Sequence, residues 1–266
     1  YHLAAADLAA IITQLDQARG GGLAAPGPPE PEQPHPPAAT AGPWPGQVRA
    51  SRHPAQPSPA DAGQGAGSGP AGTPVRISVL GPLQITAGGR EIGTGLRKAR
   101  ELLAFLTVHG ADGATGEAIS EALWPGTPPG HGTRQRNIAL RKARDLLRGA
   151  AGLPAPMWVT LTAGRYRLDP ALAGTDLQQF QAALEAARTA RDDQARLAAL
   201  RQAVACYRGP LADGAGYDWA EPYAETARRR ALDAWARIAQ ILQRSDPDQA
   251  LAALEAALAH DPYNEY

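Results

Sequence analysis

Arg134, Asn137, Arg141, Arg144 and Arg148 recur at steps of three and four within TRQRNIALRKARDLLR (133–148). At 100° per residue they share one side of a helix, while Leu140, Ala143, Leu146 and Leu147 share the other. Such a helix can be held in a core by one face and display guanidinium groups on the opposite one. Arginine forks onto a guanine edge and asparagine onto an adenine edge, and every cation neutralises phosphate, so the stripe has the donors that duplex DNA requires. The plain alternative is a solvated face whose arginines pair with Asp145 and Glu101. The charge run by itself does not separate the two.

The distribution of charge along the chain favours the first reading. Net charge over all 266 residues is zero, with 26 basic and 26 acidic side chains. Residues 75–168 nevertheless carry 13 basic against 6 acidic groups, and residues 169–266 carry 10 against 15. A neutral total thus conceals a basic middle block, which is what a polyanion would sense, and an acidic end block.

The elements that would position the stripe follow from periodicity. VRISVLGPLQITAGGREI alternates as two short strands, with Val75, Ile77 and Val79 on one face, then Leu83 and Ile85, and a turn at Gly88-Gly89. A helix is predicted from Leu96 to Val108, with Leu96, Ala99, Leu103 and Leu106 facing a core, and a second from an N-cap at Thr115 to Trp124-Pro125. The loop PGTPPGHG then leads to the arginine-bearing helix, about Thr133 to Arg148. Beyond it MWVTLTAGRYRLDP reads as a hairpin turning around Ala163-Gly164. From Asp176 the pattern is helical throughout, in four segments of small residues resembling tetratricopeptide-type repeats, with Asp192-Asp193 and Asp246-Pro247-Asp248 as caps and turns.

Ahead of this ordered part the composition differs. Residues 1–19 read as one amphipathic helix, the end of an upstream domain, stopped by Gly20-Gly21-Gly22. Residues 20–74 contain 14 Pro and 11 Gly and have too few apolar residues for a core, which predicts a disordered linker. A start at Tyr1 and an end inside a helical repeat mark the chain as a fragment of a larger protein.

Other chemistries find little support. The single cysteine, Cys206, excludes an internal disulfide, fits a reducing compartment and reads as a small buried thiol beside Ala205 and Tyr207. Six scattered histidines show no metal-ligand spacing, and no phosphate-cradling glycine loop, Ser-His-Asp order or catalytic carboxylate pair emerges. The expectation is no enzyme, no cofactor, no metal and no small-molecule substrate. No run approaches the ~18–20 apolar residues of a membrane span, so the chain is placed in the cytoplasm, as a free protein or as the cytoplasmic part of an anchored one. Trp219 and Trp235 read as core or inter-helix packing. Arg97, Lys98 and Arg100 read equally well as phosphate contacts and as an exposed face.

The order VRISVLGPLQI, RKARELLAFLTVHGADGATGEAISEALWPG, NIALRKARDLL, GRYRL resembles the response-regulator-type winged helix of the Streptomyces antibiotic regulatory protein family. DLQQFQAALEAA through YRGP and DWAEPYAETARRRALDAWARIAQIL to ALEAALAHDPYNEY resembles the bacterial transcriptional activation domain that follows it there. The resemblance covers Val75 to Tyr266. It implies a mainly α fold with small β elements: a winged helix-turn-helix domain over 75–168, then a tetratricopeptide-like helical domain over 169–266, truncated at its end. It also implies a DNA-binding transcriptional regulator with the third helix in the major groove and the hairpin as a wing. Its partners would be double-stranded DNA and, through the helical domain, RNA polymerase or other proteins. Carried over by position, Asn137, Arg141, Lys142 and Arg144 match groove-facing places, and Arg165 and Tyr166 match the wing tip; Arg134 and Arg148 join them from the stripe. The Pro/Gly linker and the DWAEP segment look more like the larger, multi-domain relatives, some of them membrane-anchored. The competing reading is a scaffold: a winged helix without DNA affinity that serves protein contacts inside a larger signalling protein.

Overall fold

The computed structural model describes residues 74–152 and 157–261; the helix expected over 1–19 and all of the linker but Pro74 lie outside them. The first half opens with β1 (Val75–Ser78), β2 (Gly81–Pro82), β3 (Gln84–Ala87) and β4 (Arg90–Glu91). Gly88 and Gly89 join the last two with φ of 55° and 78°, the double left-handed turn that matches strand twist and suits residues lacking a Cβ. Three helices follow, α1 (Arg97–His109), α2 (Gly116–Leu123) after the short β5 (Ala114–Thr115), and α3 (Pro129–Ala151). The hairpin is β6 (Val159–Thr162) and β7 (Arg165–Leu168). The second half comprises β8 (Ala173–Thr175), α4 (Asp176–Thr189), α5 (Asp193–Cys206), β9 (Leu211–Asp213), a 3₁₀ turn at Asp218–Ala220, α6 (Glu221–Leu242) and α7 (Pro247–Ala259). This is a winged helix followed by a tetratricopeptide-like helical domain.

Local chemistry sets most of these boundaries. Thr115, Thr175, Asp192 and Asp246 each cap a helix by accepting the backbone N–H three residues on, at 3.2, 3.1, 2.7 and 3.1 Å. The third helix departs from expectation, because it starts at Pro129 rather than about Thr133 and takes in half of the Gly/Pro loop. Proline at the first helical position loses no hydrogen bond there, and Gly132 gives α3 a close approach to Ser120 of α2.

The two halves share one sheet and one core. Strand order is β4-β3-β1-β8, with β8 parallel to β1, and β9 runs parallel to β2. The segments predicted as an antiparallel sheet and as four helical stretches from Asp176 are therefore cross-linked by strands, one just before Asp176 and one in a break between helices. Ala173-Gly174-Thr175 and Leu211-Ala212-Asp213 are too short to show alternation, so their pairing is decided by the partner and not by local pattern. Val75, Ile77 and Ile85 are fully buried in this sheet, continuous with Leu102, Leu103 and Leu106 of α1 and with Phe180, Leu200 and Ala203 behind.

Polar groups fasten the junction. Asp176 accepts Val79 N at 2.8 Å and Leu80 N at 3.0 Å, one on each carboxylate oxygen, with Arg208 at 3.5 Å. Burial pushes its carboxyl above the ordinary aspartate range, against the pull of those donors. Trp219 donates to Glu101 of α1 at 3.4 Å, packs edge-on against Phe105 and stacks on Tyr217. Trp235 stacks on His260, 5.0 Å between centroids. Both tryptophans thus pack between elements, as expected. Cys206 differs from expectation, being half-buried; its thiol donates to Gln202 O at 3.4 Å and burial raises its pKa. On the surface of α6, Arg228 and Arg229 hold Glu225 down to a pKa of about 2 by hydrogen bonding.

Candidate nucleic-acid interface

The third helix buries Gly132, Ala139, Leu140, Ala143 and Leu147 against α1 and α2. That contact turns Arg134, Asn137, Arg141 and Lys142 outward, all exposed. Among the described residues no hydrogen bond or ion pair holds any of these four. Arg134, Asn137 and Arg141 line one shallow depression with Gly130, Thr133 and Ile138. Of the two carboxylates named in the plain alternative, Glu101 binds Lys98 at 2.8 Å instead, whereas Asp145 does meet a member of the stripe, Arg148, at 3.8 Å and largely in solvent.

The rest of the stripe is spent on the scaffold. Arg144 is half-buried and donates through Nε and Nη2 to Val159 O, at 3.3 and 2.9 Å, clamping α3 to the hairpin. Arg136, which sequence reasoning passed over, lies over the Tyr166 ring at 5.9 Å and reaches Ser120 at 3.4 Å. Arg148 is half-buried beside Asp145. At the start of α1 only Arg97 is both exposed and unpartnered among the described residues. Lys98 donates to Leu123 O at 2.6 Å, and Arg100 donates to Leu83 O at 2.7 Å and Ile92 O at 3.0 Å, tying α1 to α2 and to the sheet edge.

The hairpin is held at a fixed angle to α3. Strand β7 pairs with β6 on one side and with β5 on the other, matching Ala114 to Tyr166 and Thr115 to Arg165. Gly113 makes this approach possible: its φ is +64°, and a Cβ there would stand 2.7 Å from Tyr166 O. Arg165 is exposed at the tip and donates to Gly113 O at 3.1 Å, whereas Tyr166 is half-buried under Arg136. Of the two expected wing-tip residues, Arg165 faces solvent and Tyr166 serves chiefly to brace the wing.

The turn of the hairpin carries a visible strain. Ala163 and Gly164 have φ of 50° and 74°, and alanine adopts the left-handed region at a cost of about 1 kcal/mol. Ala163→Asn, which makes the Asn-Gly pair this turn prefers, should raise stability by roughly 0.5–1 kcal/mol, read as a higher urea midpoint at unchanged slope. An unchanged or lower midpoint would contradict the assigned turn.

Residues 175–266 match the family described as bacterial transcriptional activator domain. A winged helix stands directly before it. That order is the one on which the resemblance to the Streptomyces antibiotic regulatory protein family rests. The chain is 29% identical over 198 residues to the transcriptional regulatory protein EmbR of Mycobacterium tuberculosis, covering 71% of this chain. It is 30% identical over 199 residues to the regulatory protein AfsR of Streptomyces coelicolor. It spans 50% of the length of the first and 19% of the second. A solved structure of Mycobacterium tuberculosis EmbR in complex with a low affinity phosphopeptide superposes with a TM-score of 0.58 at 27% identity, covering 70% of this chain and 50% of that one. Both relatives are regulators by name, and among the described residues no helix is long and apolar enough to cross a membrane.

Proposed function

We propose that this chain is the DNA-binding and activator part of a cytoplasmic transcriptional regulator. The third helix enters the major groove of duplex DNA, with Asn137 and Arg141 at base edges and Arg134, Lys142 and Arg165 at phosphates. Arg144 and Tyr166 support the reading helix and wing from behind, and Arg148 stays beside Asp145 at the far end of the helix. The helical domain then presents its surface to RNA polymerase or another protein. The observation that carries this reading is that Arg134, Asn137, Arg141 and Lys142 are exposed together on α3 and have no partner among the described residues. Its regulator relatives support the same role.

The test is binding of the 266-residue chain to selected duplex DNA across salt. The three exposed cations assigned to phosphates, Arg134, Lys142 and Arg165, set the expected slope of log Kobs against log salt at roughly −3 per bound copy. Binding that is absent, or indifferent to salt, would transfer the assignment to a protein-binding scaffold.

A further inference from the structure

One residue on the exposed face of α3 does not fit a purely polar contact surface. Ile138 sits in its middle, 38% exposed, with Arg134 one turn before it and Arg141 and Lys142 one turn after. The buried contact of the helix is made by Ala139, Leu140, Ala143 and Leu147; Ile138 is not among the buried residues and stands at the rim of a groove shared with Leu96, Ala99 and Trp124. It shares the depression lined by Arg134, Asn137 and Arg141, the donors assigned above to phosphates and base edges. A branched aliphatic side chain among four free polar ones is an apolar probe held at the height of its neighbours.

In the major groove that probe meets a nearly uniform polar surface. Pressed against a base donor or acceptor, it would strip water without returning a hydrogen bond. The only apolar group exposed there by an unmodified base pair is the C5-methyl of thymine. We propose that Ile138 is a specificity-determining residue that selects a thymine in the binding site by packing on its methyl group. That thymine lies beside the base pairs addressed by Asn137 and Arg141, because Asn137 is adjacent on the helix and Arg141 is one turn away. The inference rests on α3 being the groove helix and adds a base preference which arginine and asparagine do not supply.

Single-atom changes on the DNA test it independently of protein folding. The 266-residue chain is first used to select its preferred duplex from a random pool, and each thymine of that duplex is then replaced in turn by deoxyuridine, which lacks only the methyl. One position should lose about threefold to tenfold in affinity, the size expected for one buried methyl group. With Ile138→Ser the same thymine and deoxyuridine duplexes should bind equally, and Ile138→Val should retain a smaller preference. Each comparison is a ratio for one protein preparation, so a partly unfolded variant does not mimic the result. If the native chain binds its site but is indifferent to every deoxyuridine, or if Ile138→Ser keeps the full preference, the assignment of Ile138 is wrong while DNA binding stands. If no duplex is selected at all, the groove reading of α3 fails and the thymine contact fails with it.

Discussion

Replacing Asp176 by alanine is expected to lower the stability of the chain by about 3–5 kcal/mol. The carboxylate is 3% exposed and is the acceptor for both Val79 N and Leu80 N, at the point where β1 leaves the sheet, while Arg208 lies 3.5 Å from one of its oxygens. Alanine leaves two buried backbone donors without acceptors and a half-exposed guanidinium without its counterion. Asn at this position keeps one acceptor but turns an amide donor toward a donor, so it should recover only part of the loss. Urea unfolding followed by circular dichroism measures both variants; a loss below about 1 kcal/mol for alanine would show that the junction relaxes or that water replaces the carboxylate. The pH dependence has a definite sign. Burial raises the folded carboxyl above its unfolded value, so between the two the native state holds more protons, and this group's contribution to stability falls as pH rises through that window. Asp176→Asn should remove that component of the slope.

The second large effect falls on DNA. Arg141→Ala should weaken binding to the selected site by about 1–3 kcal/mol, roughly fivefold to 150-fold, and should relax discrimination at one base pair. Lys142 stands next to it, equally exposed and without a partner among the described residues, but an ammonium acts as a point charge. Lys142→Ala should therefore weaken binding to all sequences alike and reduce the salt slope by about 1. Competition assays against random duplex distinguish the two. If Arg141→Ala and Lys142→Ala behave identically, Arg141 is a phosphate contact and base reading belongs to another residue. Arg144 is excluded from this comparison because its Nε and Nη2 are already committed to Val159 O, so its replacement would loosen the wing instead.

Much of this site follows from spacing alone. The opposition of Arg134 and Arg141 to Leu140 and Leu147 is a property of a 3.6-residue repeat, and three of the four helix caps, Thr115, Asp192 and Asp246, are legible because the capping side chain bonds only three residues on. The same periodicity could not sort the stripe into free and committed members. Arg144 and Arg141 look alike in the sequence, and they differ because Val159, 15 residues beyond Arg144, places its carbonyl beside one and not the other. Lys98 and Arg100, which read equally well as phosphate contacts and as an exposed face, likewise have acceptors that no local pattern announces, Leu123, Leu83 and Ile92.

Local pattern therefore established the helices, the hairpin, the uneven charge and the amphipathic reading helix, since each depends on neighbours within a turn or two. Tertiary packing decided which cations remain available, how the wing is braced, and that the two halves are joined through β8, β9 and Asp176. Those contacts span 97 residues between Asp176 and Val79 and 130 between Gly81 and Leu211, and their energy depends on burial and on the distant partner's position, neither of which a short window of residues specifies.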